Sequence, residues 1–326
     1  MEIKTPEKVR EHNRLLQLES EGLRKNSDGW VDLDFCESCN SHEIEQSGEK
    51  WGYKLHRCQA CGYTFISPRP NESVLKGFYK DSKASEYFQR EIIEPALEAR
   101  IERIFKPRQR LISETIGKTS SGRVLDIGCS VGLLLDELKG VGWDTYGNEY
   151  SDYAVQAATK KGHNVSDKDL VSYEKDMFSL VTCFEVIEHT FSPSKMLRDI
   201  WKILSQDGYL VLSFPSIDGF EFQIAGNIHP NIAPPGHLNY FGSRSIEQIL
   251  ESCGFKAVNI LTPGFLDIRN IENMIRAGEL KTTGCTWLDG ILLDSDPNIR
   301  SFREGLQRLI ADHKMSGHMV VFAKKV

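Results

Sequence analysis

The chain has 326 residues, of which 40% are hydrophobic and 26% charged, with a formal net charge of −6. That length exceeds one average domain, and the composition excludes a fibre or a disordered chain. No run reaches the ~18 apolar residues that span a bilayer, the polar start lacks a signal peptide's apolar core, and the acidic balance disfavours a nucleic-acid partner; a cytoplasmic protein with a small-molecule partner is expected.

In chain order, residues 1–30 read as a polar helix with a flexible join at 26–29. Cys36-Glu-Ser-Cys39 and Cys58-Gln-Ala-Cys61 stand 18 residues apart, the spacing of a four-thiolate zinc site. Gly62 permits the positive φ of such a knuckle. Four thiolates close a tetrahedron, so residues 31–69 are expected to form a zinc ribbon in which Cys36, Cys39, Cys58 and Cys61 hold a structural Zn2+. His42 and His56 then read as ordinary surface histidines. Over 70–118, Tyr79, Tyr87 and Phe88 precede a helical run of Ile92, Ile93, Leu97, Ile101, Ile104 and Phe105 broken near Pro107, a helical connector or lid. Arg100, Arg103, Lys106, Arg108 and Arg110 read as a solvated face, or alternatively as a hold on an anionic group of a ligand.

From residue 119 strands and helices alternate, which predicts an α/β fold with a doubly wound, Rossmann-like sheet of seven strands. Arg123 to Gly132 is a buried strand entering a glycine turn, where Gly128 and Gly132 let backbone approach a ligand. The fingerprint G-x-G-x-x-G is absent, which argues against a nicotinamide-dependent oxidoreductase. Glu149 ends the second strand, the usual place of an acidic ribose ligand. A helix over 152–161 capped by Ser151, a third strand at 164–166, and Asp169-Leu170 where a base can be held come next. A fourth strand at 180–184, a helix opened by Ser192-Pro193 with Met196, Leu197, Ile200, Trp201 and Leu204 inward, and a fifth strand at 209–213 follow. Strands near 257–261 and 318–323 enclose a mostly helical insertion, about 265–315, read as a cap, and residues 220–239 read as a further loop over the site.

Taken together, V-L-D-I-G-C-x-x-G at 124–132, the acidic Glu149, E-V-I-E-H at 185–189 and G-H-L-N-Y-F at 236–241 resemble the class I S-adenosylmethionine-dependent methyltransferases of the methyltransferase-23 kind. The likeness covers about residues 110–262 and the last strand, so that 119–326 would be the methyltransferase domain. The ribbon and its trailing Phe65-Ile-Ser-Pro-Arg-Pro70 are similar to those of sugar- and polysaccharide-pathway methyltransferases. The resemblance implies S-adenosylmethionine as cofactor, with Asp126, Gly128, Cys129 and Gly132 along its methionine and ribose parts. Glu149 would take the ribose hydroxyls, Asp169 and Leu170 the adenine, and Glu185 the sulfonium end. Ser179 stands where the family has an acid and receives no role; Cys129, Cys183, Cys253 and Cys285 lack a paired base and read as chemically inert.

Methyl transfer to a hydroxyl is an in-line displacement that also needs a proton removed. His189, with an unperturbed pKa of ~6.5, suits that role, oriented by Glu185 or Glu188. The E-x-x-E-H run is also similar to the metal-binding motif of small-RNA 2′-O-methyltransferases and ubiquinone-pathway O-methyltransferases. That likeness implies a second divalent metal at Glu185, Glu188 and His189, with His237 as a further ligand. In the third reading the two glutamates only bond backbone and cofactor, His189 packs, and His237 and His229 pin their loops. The expected activity is methyl transfer to a hydroxyl of a small-molecule or carrier-linked acceptor, a sugar, nucleotide-sugar or polysaccharide precursor. C-methylation of a keto-sugar, metal-dependent RNA 2′-O-methylation and a non-catalytic zinc-ribbon binding protein are the alternatives.

Overall fold

The computed structural model describes residues 6–25, 28–117 and 122–326; Asn26 and Ser27 of the expected join lie outside them. A helix at Pro6–Arg24 precedes five short strands, β1 (Trp30–Val31), β2 (Ile44–Lys50), β3 (Tyr53–Cys58), β4 (Thr64–Ile66) and β5 (Arg69–Pro70). β2, β3 and β4 form an antiparallel meander. Then come β6 (Arg123–Ile127), β7 (Asp144–Asn148), β8 (Asn164–Ser166), β9 (Phe178–Phe184), β10 (Leu204–Pro215), β11 (Asn239–Tyr240), β12 (Phe255–Leu261) and β13 (His318–Lys325).

The main sheet has seven strands in the order β12-β13-β10-β9-β6-β7-β8. β13 runs antiparallel to both its neighbours, β10 and β12, while β10, β9, β6, β7 and β8 are parallel. The central strands β6, β9 and β10 are largely apolar on both faces because helices cover both. On one face Leu134 and Leu138 of the Leu133–Gly140 helix and Ile112 of the Lys106–Ile116 helix pack on Val124, Leu180, Val211 and Phe322. On the other, Leu197, Ile200 and Ile203 of the Pro193–Ile203 helix and Ile246, Ile249 and Leu250 of the Ser243–Ser252 helix meet Leu125, Val181, Leu212 and Val321. Ser192 caps the first of these helices by accepting from the Lys195 amide, with Pro193 in the first turn where its missing N–H is harmless. Chain order reverses between β6 and β9, so their carboxyl ends open a crevice.

The helical connector departs from expectation at Pro107. That residue lies in the first turn of the Lys106–Ile116 helix and does not break it; the irregularity lies earlier, in π turns at Phe88–Ile93 and Ile101–Phe105. The insertion after β12 consists of helices at Asp267–Arg276, Thr286–Leu293 and Pro297–Asp312. The N-terminal helix docks: Glu19 accepts from the Ala84 amide at 3.1 Å and from Ser82 Oγ at 2.7 Å, and Tyr53 OH donates to the Ser20 carbonyl at 3.1 Å. No described helix is long and apolar enough to cross a membrane.

The thiol-bearing meander is completed by β11 from the far part of the chain, which pairs antiparallel with β4 through Asn239↔Phe65 and Tyr240↔Thr64. Cys36, Cys58, Cys61, Tyr63 and Phe65 belong to the same apolar cluster as Phe214 and Phe241. Phe241 sits at the joint, with ring centroids 4.9 Å from Tyr63 and 5.5 Å from Phe214. Because the two regions share one core, urea unfolding followed by tryptophan fluorescence and by far-UV circular dichroism is expected to give one coincident transition. Phe241→Ala should lower its stability by about 3–5 kcal/mol; two separated transitions would show that the meander folds on its own.

Candidate active site and thiol centre

The four expected cysteines converge. Cys36 and Cys61 Sγ lie 3.5 Å apart and Cys39 and Cys58 3.6 Å apart, with all four sulfurs within 4.8 Å of one another. Four thiolates at ~2.3 Å around one tetrahedral ion stand roughly 3.8 Å apart, so the arrangement fits such an ion. Each pair turns in the same way: the Asn40 amide donates to Cys36 O at 2.8 Å and the Gly62 amide to Cys58 O at 2.9 Å. Asn40 and Gly62 have φ of 59° and 79°. The hydrogen bond from Cys36 holds the Cys61 thiol down at about 5, and Cys36 is pushed up in exchange. His42 and His56 are outside the cluster; His42 is exposed and its Nδ1 bonds Asp34 O at 2.8 Å.

At the carboxyl end of β6, Gly128 and Gly132 have φ of 71° and 77°. A Cβ on Gly128 would meet Val186 Cγ2 at 2.6 Å, and one on Gly132 would meet His163 Cδ2 at 3.0 Å. The glycines are therefore required by the turn itself. Glu149, just past β7, braces the turn: its carboxylate accepts from Ser130 N at 3.0 Å, Tyr150 N at 2.8 Å and Ser151 N at 3.0 Å. Three of a carboxylate's roughly four acceptor positions are thereby used. Asp126 is buried and accepts from Thr182 Oγ1 at 2.7 Å; burial pushes its carboxyl up to about 7 against that bond. Cys129 is buried with its thiol pushed up by burial, which makes it a poor nucleophile. Asp169 is exposed, 3.9 Å from Lys76 Nζ, and Leu170 opens a short 3₁₀ turn.

After β9, the structure separates residues that the sequence reading grouped. Glu188, His189 and His237 bring ligand atoms within 4.8 Å of one another, and Glu185 is not among them. Glu185, in left-handed backbone at φ 57°, turns instead toward His318 Nε2 at 2.8 Å and the Ser213 hydroxyl, with Arg108 3.9 Å away. Burial alone would raise its carboxyl, but the facing His318 and Arg108 hold it well below the usual range. Arg108 lies over the Phe184 ring at 4.3 Å, so it is no solvated helix residue, whereas Lys106 pairs outward with Glu102.

Glu188 is 2% exposed and neither carboxylate oxygen has a hydrogen-bond partner. Burial, followed by the charge of Glu185, pushes its carboxyl well above the normal range. His189 Nδ1 bonds the Gly236 carbonyl at 2.6 Å, and His237 Nδ1 the Asn231 carbonyl at 2.7 Å. A carbonyl accepts only, so both rings carry their proton on Nδ1 and keep a lone pair on Nε2. The rings meet edge-on at 4.6 Å, and burial holds His237 down at about 3. Neither glutamate orients His189; Gly236 does, and Tyr79 OH bonds the same carbonyl at 2.7 Å. His229 is structural, stacked on Phe222 at 3.8 Å, with Nδ1 accepting from Asn231 N and Nε2 on Glu221. The sequence reading missed Tyr79, Asn239 and His318, which lie far along the chain from E-V-I-E-H; only Asn239 carried a signal, its place in G-H-L-N-Y-F.

Residues 96–260 match a family model described as a methyltransferase domain. The ubiquinone biosynthesis O-methyltransferase of Nitrosomonas europaea is 27% identical over 117 residues, 32% of this chain and 49% of that protein. Its counterpart in Coxiella burnetii is 22% identical over 176 residues, 50% of this chain and 75% of that protein. The chain thus spans about half the length of the Nitrosomonas protein. A chain in the complex between the Haloferax volcanii Trm112 methyltransferase activator and a methyltransferase superposes with TM-score 0.50 at 11% identity, covering 77% of this chain and 97% of that one. That likeness is one of fold.

Gly128→Ala is expected to cost about 1–3 kcal/mol in chemical denaturation, from the left-handed backbone and the Val186 contact. Gly140→Ala, whose Cβ would meet nothing within 4 Å, should be neutral or stabilising by about 0.5–1 kcal/mol. Equal effects would show that the turn does not need Gly128.

Proposed function

The chain belongs to the methyltransferase-domain family matched over residues 96–260, and on that premise we propose that it transfers a methyl group from S-adenosylmethionine to a hydroxyl of a small-molecule or carrier-linked acceptor. The cofactor lies in the crevice at the carboxyl ends of β6, β7 and β9, against Asp126, Gly128, Cys129 and Gly132. Glu149 has about one acceptor position left for a ribose hydroxyl, and Asp169 and Leu170 border the adenine. The O-methyltransferases among its relatives support oxygen over carbon as the methylated atom. A sugar or nucleotide-sugar hydroxyl is proposed on the sequence resemblance of residues 31–69 alone; the relatives themselves are named for ubiquinone biosynthesis.

Two metal ions belong to this reading. A structural Zn2+ sits among Cys36, Cys39, Cys58 and Cys61, whose sulfur spacings support it. The observation that carries the mechanism is the buried Glu188 carboxylate with no donor on either oxygen, facing two histidines whose lone pairs are on Nε2. Glu188 Oε1 and His189 Nε2 stand 3.9 Å apart. That is too long for a hydrogen bond and within the span of two ligands each ~2.0–2.2 Å from one ion. Glu188, His189 and His237 therefore hold a divalent cation, and Glu185 is outside the set. When bound, that ion lowers the pKa of the acceptor hydroxyl. The Gly236 and Asn231 carbonyls fix the two rings for ligation, as outer partners of ligating histidines do. From the connector, Tyr79 OH stands 3.0 Å from His189 Nδ1 and donates to the Gly236 carbonyl at 2.7 Å. Direct proton removal by His189 is the weaker reading, because its free lone pair faces Glu188 and His237.

Calorimetry with S-adenosylhomocysteine is expected to give one site of micromolar affinity, weakened about 10- to 100-fold by Glu149→Ala. Absence of binding by the wild type would sink the methyl-transfer reading. Metal analysis of the same sample should find one tightly held zinc, lost in Cys58→Ser, and a second, chelatable divalent ion, lost in His189→Ala. Retention of the second ion by His189→Ala would overturn the second centre.

A further inference from the structure

Asn239 is 1% exposed, and its side chain is bonded on both ends. Its Oδ1 accepts from Arg69 Nη1 at 2.8 Å and from Tyr63 OH, both in the thiol-bearing region. Its Nδ2 donates to the carbonyls of Thr190 at 2.7 Å and of Ile187 and Glu188 at 3.3 Å each. The Leu238 amide adds a bond to Glu188 O at 2.8 Å, and Leu238 O accepts from Ile66 of β4 at 3.0 Å. One amide side chain thus spans from the ribbon to the turn that carries Glu188 and His189, while His237 lies two residues before it on the same segment.

The far end is anchored as firmly. Arg69 is fully buried and pairs with Glu37 at 2.9 Å, and Glu37 lies between Cys36 and Cys39. The second Glu37 oxygen accepts from Ser192 Oγ at 2.8 Å, Ser194 Oγ at 2.9 Å and Ser194 N at 3.2 Å, at the start of the Pro193–Ile203 helix. The link therefore grips the Glu188-His189 turn on both sides: through Asn239 from within, and through Glu37 just after it. Packing alone does not call for this, since a buried ion pair replaced by apolar residues of like volume usually costs little stability. What such a polar link supplies is one fixed geometry.

We propose that Glu37, Arg69, Tyr63 and Asn239 form a positioning strut through which the zinc ribbon holds Glu188, His189 and His237 in ligating geometry. The ribbon is then part of the metal centre's outer support. The proposal rests on the divalent site assigned above and adds to it a role for the ribbon.

The test is titration of full-length protein, kept zinc-loaded at the thiols and stripped of chelatable metal, with Mn2+, read by electron paramagnetic resonance. S-adenosylhomocysteine calorimetry is run on the same samples. The variants are Asn239→Ala and the double substitution Glu37→Gln/Arg69→Met, which removes both buried charges at once and so leaves none unpaired. Mn2+ affinity is expected to fall at least about tenfold in both, the size of effect that outer partners of metal ligands have, with S-adenosylhomocysteine affinity within twofold of wild type and zinc retained. If Asn239→Ala fails to fold, the double variant carries the test. Mn2+ affinity within twofold of wild type in a folded variant overturns the strut, and so does a parallel loss of zinc and both affinities, which marks a merely structural tie. A wild type that binds no Mn2+ overturns both the strut and the divalent centre. Absence of S-adenosylhomocysteine binding alone overturns the methyl-transfer reading, and the Mn2+ comparison still decides the strut.

Discussion

The two-residue pairing of β11 with β4 is the contact on which the rest of the arrangement depends. A segment of the size of 31–69 buries too little apolar surface to fold alone. Thiol ligation is one remedy, and sharing a core is another; this chain combines them. Cys36, Cys58 and Cys61 lie in the main apolar cluster beside Phe214 and Phe241, so the ion proposed for the thiols is enclosed by the same packing that supports β10. The same backbone ladder brings His237 over the turn after β9. Position along the chain and position in space are decoupled here by a single short strand.

Charge is sorted within a small volume. Asp126, Glu185 and Glu188 gather around the Arg108 guanidinium, and three carboxylates so close cannot all remain ionised without compensation. Each meets this differently. Glu185 has His318 and Arg108 and stays anionic. Asp126 has the Thr182 hydroxyl and the more distant charge of Arg108, which burial outweighs, and sits near 7. Neither oxygen of Glu188 has a hydrogen-bond partner and burial outweighs the charge of Arg108, so its charged form calls for a cation brought from outside. Local partners, rather than residue type, divide the three roles.

Much of this was legible in the sequence because it is local. Apolar runs marked β6, β9 and β10; Ser151 and Ser192 marked helix starts; the C-x-x-C pairs marked the thiol cluster. Gly128 and Gly132 were legible as turn glycines because left-handed backbone restricts residue choice. What stayed hidden depends on long-range partners. Glu185 was grouped with Glu188 by proximity in sequence, yet a left-handed φ turns it to His318, 133 residues away. β11 is too short to carry a strand pattern and exists because β4 offers it an edge. Pro107 misled for a related reason: a proline reads as a break unless the helix is known to start beside it.

The helical insertion after β12 also has a bearing on how such a protein diversifies. It enters after β12 and returns at β13, and these strands are antiparallel neighbours, with Leu261 opposite Val320. Its two ends therefore meet at one corner of the sheet, where Thr262 Oγ1 reaches back to Ala311 O at 3.0 Å. A segment with coincident ends can be lengthened, shortened or exchanged without changing strand order or disturbing β6, β7 and β9. Variation during descent can then be taken up by this one insertion, while the strand order and the crevice are inherited unaltered.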